Sequence, residues 1–144
     1  MYDSILVAID DSEPAEAALE HAIDLAGSVG AALFVLSVVD PGGSPMRFSV
    51  QEVDALNRTV SEMVEDVLAA YEGHSLEIDA EVRRGRPDEI ILEYAEEVDA
   101  DLILVGQRGK RSLPHAILGS TADRVTRLST IPVTIVPEPA LENA

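Results

Sequence analysis

Five short apolar runs, with helix-spaced segments and turn chemistry between them, set what this chain can become. SILVAID (Ser4–Asp10) and ALFVLSVV (Ala32–Val39) are rich in β-branched residues and predict buried strands. DLILVG (Asp101–Gly106) and PVTIV (Pro132–Val136) predict two more, while LEIDAEV (Leu76–Val82) alternates strictly, as a strand covered on one face does. Between the runs the period changes to the helical one. Ala15, Ala18, Leu19, Ala22, Ile23 and Ala26 mark a first helix, closed by Gly27 and Gly30. After the turn residues DPGGSP (Asp40–Pro45), Val53, Leu56, Val60, Met63, Val64, Val67 and Leu68 mark a long amphipathic helix. Ile90, Ile91, Tyr94, Ala95 and Val98 follow Pro87 in a third, and a fourth runs from Ser120 to about Ser129.

Strands that alternate with helices predict an α/β fold with a five-stranded parallel sheet and helices on both faces. Right-handed crossovers and double winding give the Rossmann-like order 3-2-1-4-5, with the winding reversed between strands 1 and 4. The loops leaving those two strands, at the carboxyl ends, are where such folds take ligands. The 144 residues suit one domain, 1–144, with a loose tail over 137–144. Hydrophobic residues make up 47% and aromatic ones only 3%, so the core has to be built from Val, Ile, Leu and Ala. The absence of Cys excludes a disulfide framework, a thiolate metal site and a cysteine nucleophile. The first residues, MYDSILVAIDDS, lack the basic and long apolar regions of a secretory signal, and nothing approaches the roughly 18 apolar residues that span a bilayer. A cytoplasmic protein with no membrane partner is expected.

The formal net charge is −17, from 27 acidic residues against nine Arg and one Lys. Self-repulsion of that size is relieved when the Debye length shrinks to about 3 Å at 1 M salt, so the balance points to the cytoplasm of a high-salt organism. It argues against sequence-independent nucleic-acid binding, which needs a basic face.

Against this acidity stands GQRGKRSLPHAILGST (Gly106–Thr121), with three of the nine glycines and three of the ten basic side chains. Gly106 and Gly109 free the backbone to approach a ligand. Gly119 and Ser120 open a helix, whose unpaired N–H groups and positive dipole end favour an anion. Arg108, Lys110 and Arg111 add charge that could pair with phosphates. A polyphosphate answers all of these features together, although each alone is also ordinary helix-entry punctuation or local charge relief. His115 has no partner at metal-ligand spacing.

The pattern G-x2-G-x9-G-[ST], carried by Gly106, Gly109, Gly119 and Ser120, resembles that of the universal stress protein family, in its nucleotide-binding branch. The likeness runs from ILVAIDDS to the closing IPVTIVP, essentially the whole chain. It implies that Gly106, Gly109, Gly119, Ser120 and Thr121 cradle the phosphates of ATP, or of ADP or AMP. Asp10 matches the family's acidic residue near the ribose and, through Mg-ATP, a metal. Ala8 falls near the adenine pocket, and Val38 matches a position whose backbone reads the adenine edge. The likeness further implies a homodimer through strand 5, Pro132–Val136, which as a short apolar sheet edge invites pairing. The function implied is a regulatory one in stress response, with little or no turnover.

Three other readings are open to the residues. Two acids after strand 1, Asp10 and Asp11, suggest a Mg²⁺-binding receiver, but strand 3 runs into EVRRGRP instead of a phosphoacceptor Asp, and no Lys follows Val136. An ATPase would need an oriented water, a base and a metal, and there is no G-x4-G-K-[ST]. A structural, partner-binding dimer with a vestigial pocket would share the same fold. Arg83, Arg84 and Arg86 form a second basic cluster, expected to pair with acidic helix residues or to meet a partner.

Overall fold

The computed structural model describes residues 2–9, 13–39, 76–107 and 119–137, together with Arg58, Ser61, Glu62, Glu65, Asp66 and Ala69. Its order is β1 (Ser4–Ile9), α1 (Glu13–Val29), β2 (Ala32–Val39), β3 (Ile78–Arg84), α2 (Pro87–Glu97), β4 (Leu102–Gly106), α3 (Ser120–Leu128) and β5 (Val133–Val136). All strand pairs are parallel, and the sheet order is β3-β2-β1-β4-β5, as the alternation predicts. The six positions between 58 and 69 are helical and exposed, which fits the polar face of the long amphipathic helix; its seven apolar positions, and the turn Asp40–Pro45, lie outside the described residues.

The period of two along each strand splits the core into two halves. Ile5, Val7, Ile9, Leu33, Val35, Leu102 and Leu104 face one way and meet Ala18, Leu19, Ala22, Ile23 and Ala26 of α1. Leu6, Leu36, Ile103 and Val105 face the other way and meet Ile91, Tyr94 and Ala95 of α2 and Ala122 and Val125 of α3. Burial on both faces is why the inner strands read as unbroken apolar runs. Edge strand β3 keeps its alternation because Ile78, Ala80 and Val82 pack on one half while Asp79 is exposed.

Two boundaries differ from the sequence expectation. β3 begins two residues later and runs through Arg83 and Arg84, because the ladder to Val38 and Val39 continues beyond the apolar run. Gly27 lies inside α1; the helix turns at Gly30 (φ +72°), where the amide of Ala31 reaches back to Ala26 O at 3.0 Å. The same six-to-one closure ends α2, with Ala100 N donating to Ala95 O at 2.9 Å, and there a non-glycine residue, Asp99 (φ 52°), takes the left-handed position.

The Asp101 carboxylate fastens the start of β4 to that of β1, accepting hydrogen bonds from the amides of Asp3 (2.8 Å) and Ser4 (3.0 Å). Those two amides hold its pKa below the ordinary carboxylate value. A depressed folded-state pKa stabilises the fold above the unfolded value, near 3.9, and the contribution is lost as pH falls through the lower, folded value. Asp101→Asn should therefore melt below wild type at neutral pH, with the gap closing in acid. Thermal scans between neutral and strongly acidic pH check this; a gap that stays constant through the acid range would contradict it.

Candidate functional site

At β1 and β4, neighbours in the sheet, the chain leaves towards opposite faces: after β1 to α1, after β4 to α3. This is the winding reversal that opens a crevice at the carboxyl ends of the strands. Two backbone bonds shape its rim. Gln107 N donates to Val136 O (2.8 Å), and Gly119 N donates to Gln107 O (2.8 Å). Gln107 and Gly119, the described residues on either side of 108–118, are therefore held together. Arg108, Gly109, Lys110 and Arg111, like Asp10, lie outside the described residues.

Gly119 is the N-cap of α3 (φ −60°, ψ 151°), buried, and with no side chain to cap the helix. Its amide is already committed to Gln107, so it is the carbonyl of Gly119 that starts the helix, accepting from Asp123 N at 2.9 Å. The amides of Ser120, Thr121 and Ala122 then have no acceptor within the helix, by the geometry of a first turn. No capping bond reaches them among the described residues. Ser120 is exposed and Thr121 half-buried, so this polar backbone opens to solvent at the mouth of the sheet.

Ala8 and Val38 are half-buried near the carboxyl ends of β1 and β2, and both pack on the face that α2 and α3 cover. Ala8 is flanked by Leu36 and Val105 in the ladders. Gly106 ends β4 opposite Val136. The structure thus gathers Ala8, Val38, Gly106, Gly119, Ser120 and Thr121 at one end and on one side of the sheet: an apolar floor beside N–H groups with no acceptor among the described residues. Among the described residues no group of three or more His, Asp or Glu could hold a metal ion.

The second basic cluster is held within the fold. Arg83 bonds to Glu81 (2.8 Å) and to both carboxylate oxygens of Glu97, and its guanidinium lies 4.5 Å from the centre of the Tyr94 ring. The hydrogen bonds that Arg83 donates to Glu97 drive the Arg83 pKa further up and, reciprocally, lower that of Glu97, while burial raises the Tyr94 phenol. Arg86 pairs with Glu89 at 3.6 Å. A cavity of about 500 Å³ between α2, the end of α3 and the start of β5, lined by Leu92, Ile103, Leu128 and Ile131 among others, lies at the opposite end of the sheet from the candidate site.

Sequence reasoning missed one pair near the site. Asp88, in the first turn of α2, is only 6% exposed and stands 3.8 Å from Arg124 of α3. The acidic first turn after Pro87 was visible, but its burial depends on how two separate helices pack.

The universal stress protein family profile matches residues 1–137. The chain belongs to the universal stress protein family. Universal stress protein MJ0531 of Methanocaldococcus jannaschii is 32% identical over 99% of this chain and 86% of its own. Stress response protein NhaX of Bacillus subtilis is 32% identical over 93% of this chain and 97% of its own. Among solved structures, that of MJ0577 superposes with a TM-score of 0.78 at 27% identity, over 98% of this chain and 99% of that one. A family member in complex with cAMP gives 0.70 at 26% identity, over 96% and 98%, and one from Archaeoglobus fulgidus in complex with dAMP gives 0.71 at 28%, over 94% and 98%.

An acidic side chain at the start of α3 separates helix stability from anion binding. Ser120→Glu should stabilise α3 by about 0.3–1 kcal/mol through the helix dipole, yet repel a phosphate at the same amides. Denaturant unfolding with a parallel calorimetric titration of inorganic phosphate or nucleotide checks this; unchanged anion affinity would show that the helix start is not the seat.

Proposed function

We propose that this chain binds an adenine nucleotide, ATP in the first instance, at the carboxyl end of its sheet and acts in stress response through occupancy of that site, with little or no turnover. The observation that carries the reading is the uncapped start of α3, clamped by Gln107 beside β4 at the winding reversal. Free N–H groups at the positive end of a helix dipole suit phosphate oxygens. Two similar structures hold cAMP and dAMP, adenine nucleotides with one phosphate each. Ser120 and Thr121 would take one phosphate. The glycines Gly106 and Gly109 and the charges of Arg108, Lys110 and Arg111 would accommodate the rest of a triphosphate, and Asp10 would take the ribose and Mg²⁺. Ala8 and the backbone of Val38 would receive the base.

Gly109→Val should abolish ATP binding while leaving the fold intact, since both halves of the core among the described residues are built from the strands and helices on either side of it. Calorimetric titration at high salt checks this, with circular dichroism as the folding control; wild-type affinity in the variant would refute the site. ATP at about 100 times its dissociation constant should also stabilise the wild type by roughly 2.7 kcal/mol.

The proposal extends to assembly. β5 is a four-residue strand at the sheet edge and, among the described residues, pairs with β4 alone. An antiparallel match with β5 of a second copy would bury it in a C2 homodimer. Light scattering should find a dimer in molar salt, the medium to which the acidic surface is suited; monomer alone would contradict it.

A further inference from the structure

Asp88 is the one buried charged side chain among the described residues. Its counter-charge comes from another helix: Arg124 Nη1 lies 3.8 Å from Asp88 Oδ1, with the arginine head about half exposed. The two groups sit in corresponding places. Asp88 is in the first turn of α2 and Arg124 in the second turn of α3, and both helices cover the same face of the sheet. Arg124 is four residues beyond Ser120, on the same side of α3, and helical side chains lean towards the N-terminus of their own helix. The separation is longer than a hydrogen bond, so the pair acts through charge. Loss of the partner would be costly, because a buried carboxylate that loses its counter-ion keeps the whole desolvation penalty.

Beyond the bond of Gly119 to Gln107, α3 has few other anchors among the described residues. Its buried residues are Ala122 and Val125, both small, and Arg127 turns back to Asp123 of the same helix at 3.0 Å. We propose that Asp88, acting through Arg124, is a positioning residue for the phosphate seat: the pair fixes the rotation of α3 about its axis, and with it the direction of the Ser120, Thr121 and Ala122 amides. This inference rests on the reading that those amides receive phosphate. Ligand affinity at the mouth of the sheet then depends on two side chains that do not touch the ligand.

The test uses the full chain at high salt and titrates ATP, with adenosine as the probe that has no phosphate. Asp88→Asn keeps the shape of the side chain and removes its charge; Arg124→Gln removes the partner from a half-exposed position. Each should weaken ATP about tenfold while leaving adenosine within about twofold of wild type, and Arg124→Lys should recover most of the loss. The double variant should bind ATP no worse than the weaker single one, because both changes break one link. If the singles bind ATP as wild type does, if ATP and adenosine weaken equally, or if the two losses multiply in the double variant, the positioning role is overturned. A wild type that binds no ATP overturns the functional reading instead, and this inference with it.

Discussion

A helix that begins on a glycine starts with N–H groups that nothing in its own turn can satisfy. In α3 the glycine's own amide is drawn off by Gln107, which leaves the amides of Ser120, Thr121 and Ala122 with no acceptor among the described residues. The rest of the architecture decides where those amides point: β4 delivers the loop, β5 receives Gln107 through Val136, and the crossing of α2 and α3 sets the angle of the helix start.

The sheet is what makes such a helix start useful. Apolar residues on both faces of β1 and β4 hold the two central strands rigidly, since Ile5, Leu6, Val7, Ile103 and Leu104 have no exposed surface. Loops are then free to vary without disturbing the mouth. Charge is organised in the same spirit. Arg83 pairs with Glu81 of its own strand and with Glu97 of α2, and Arg124 of α3 pairs with Asp88 of α2, so these two arginines tie elements of the second face together. Screening in concentrated salt weakens exposed pairs more than buried ones, and in Asp88–Arg124 the carboxylate is the shielded partner.

Much of this was legible in the residues, for identifiable reasons. SILVAI and LILVG are apolar without interruption because both faces are covered, and LEIDAEV alternates because one is not. The winding, and so the location of the crevice, follows from element order. Legibility stopped where an interaction joins distant segments. The end of β3 was misplaced because Arg83 looks like loop chemistry until Tyr94 and Glu97 stand opposite it. Gly27 and Gly30 look alike in sequence, and only the reach of Ala31 back to Ala26 tells which one turns the chain. Asp88 is one acid in an acidic helix until α3 packs over it. At the candidate site, the glycine-serine signature of Gly119 and Ser120 marks a helix start, which the structure has there, whereas the commitment of the Gly119 amide to Gln107 was not legible, since a backbone bond leaves no mark on residue type.

The most direct test is to follow the backbone amide resonances of the protein while ATP is added. The account predicts that Ser120, Thr121 and Ala122 move together and saturate with the ligand, as N–H groups do when an oxyanion binds them. If ATP binds and those three stay where they were while amides elsewhere shift, the start of α3 is not where the phosphates rest.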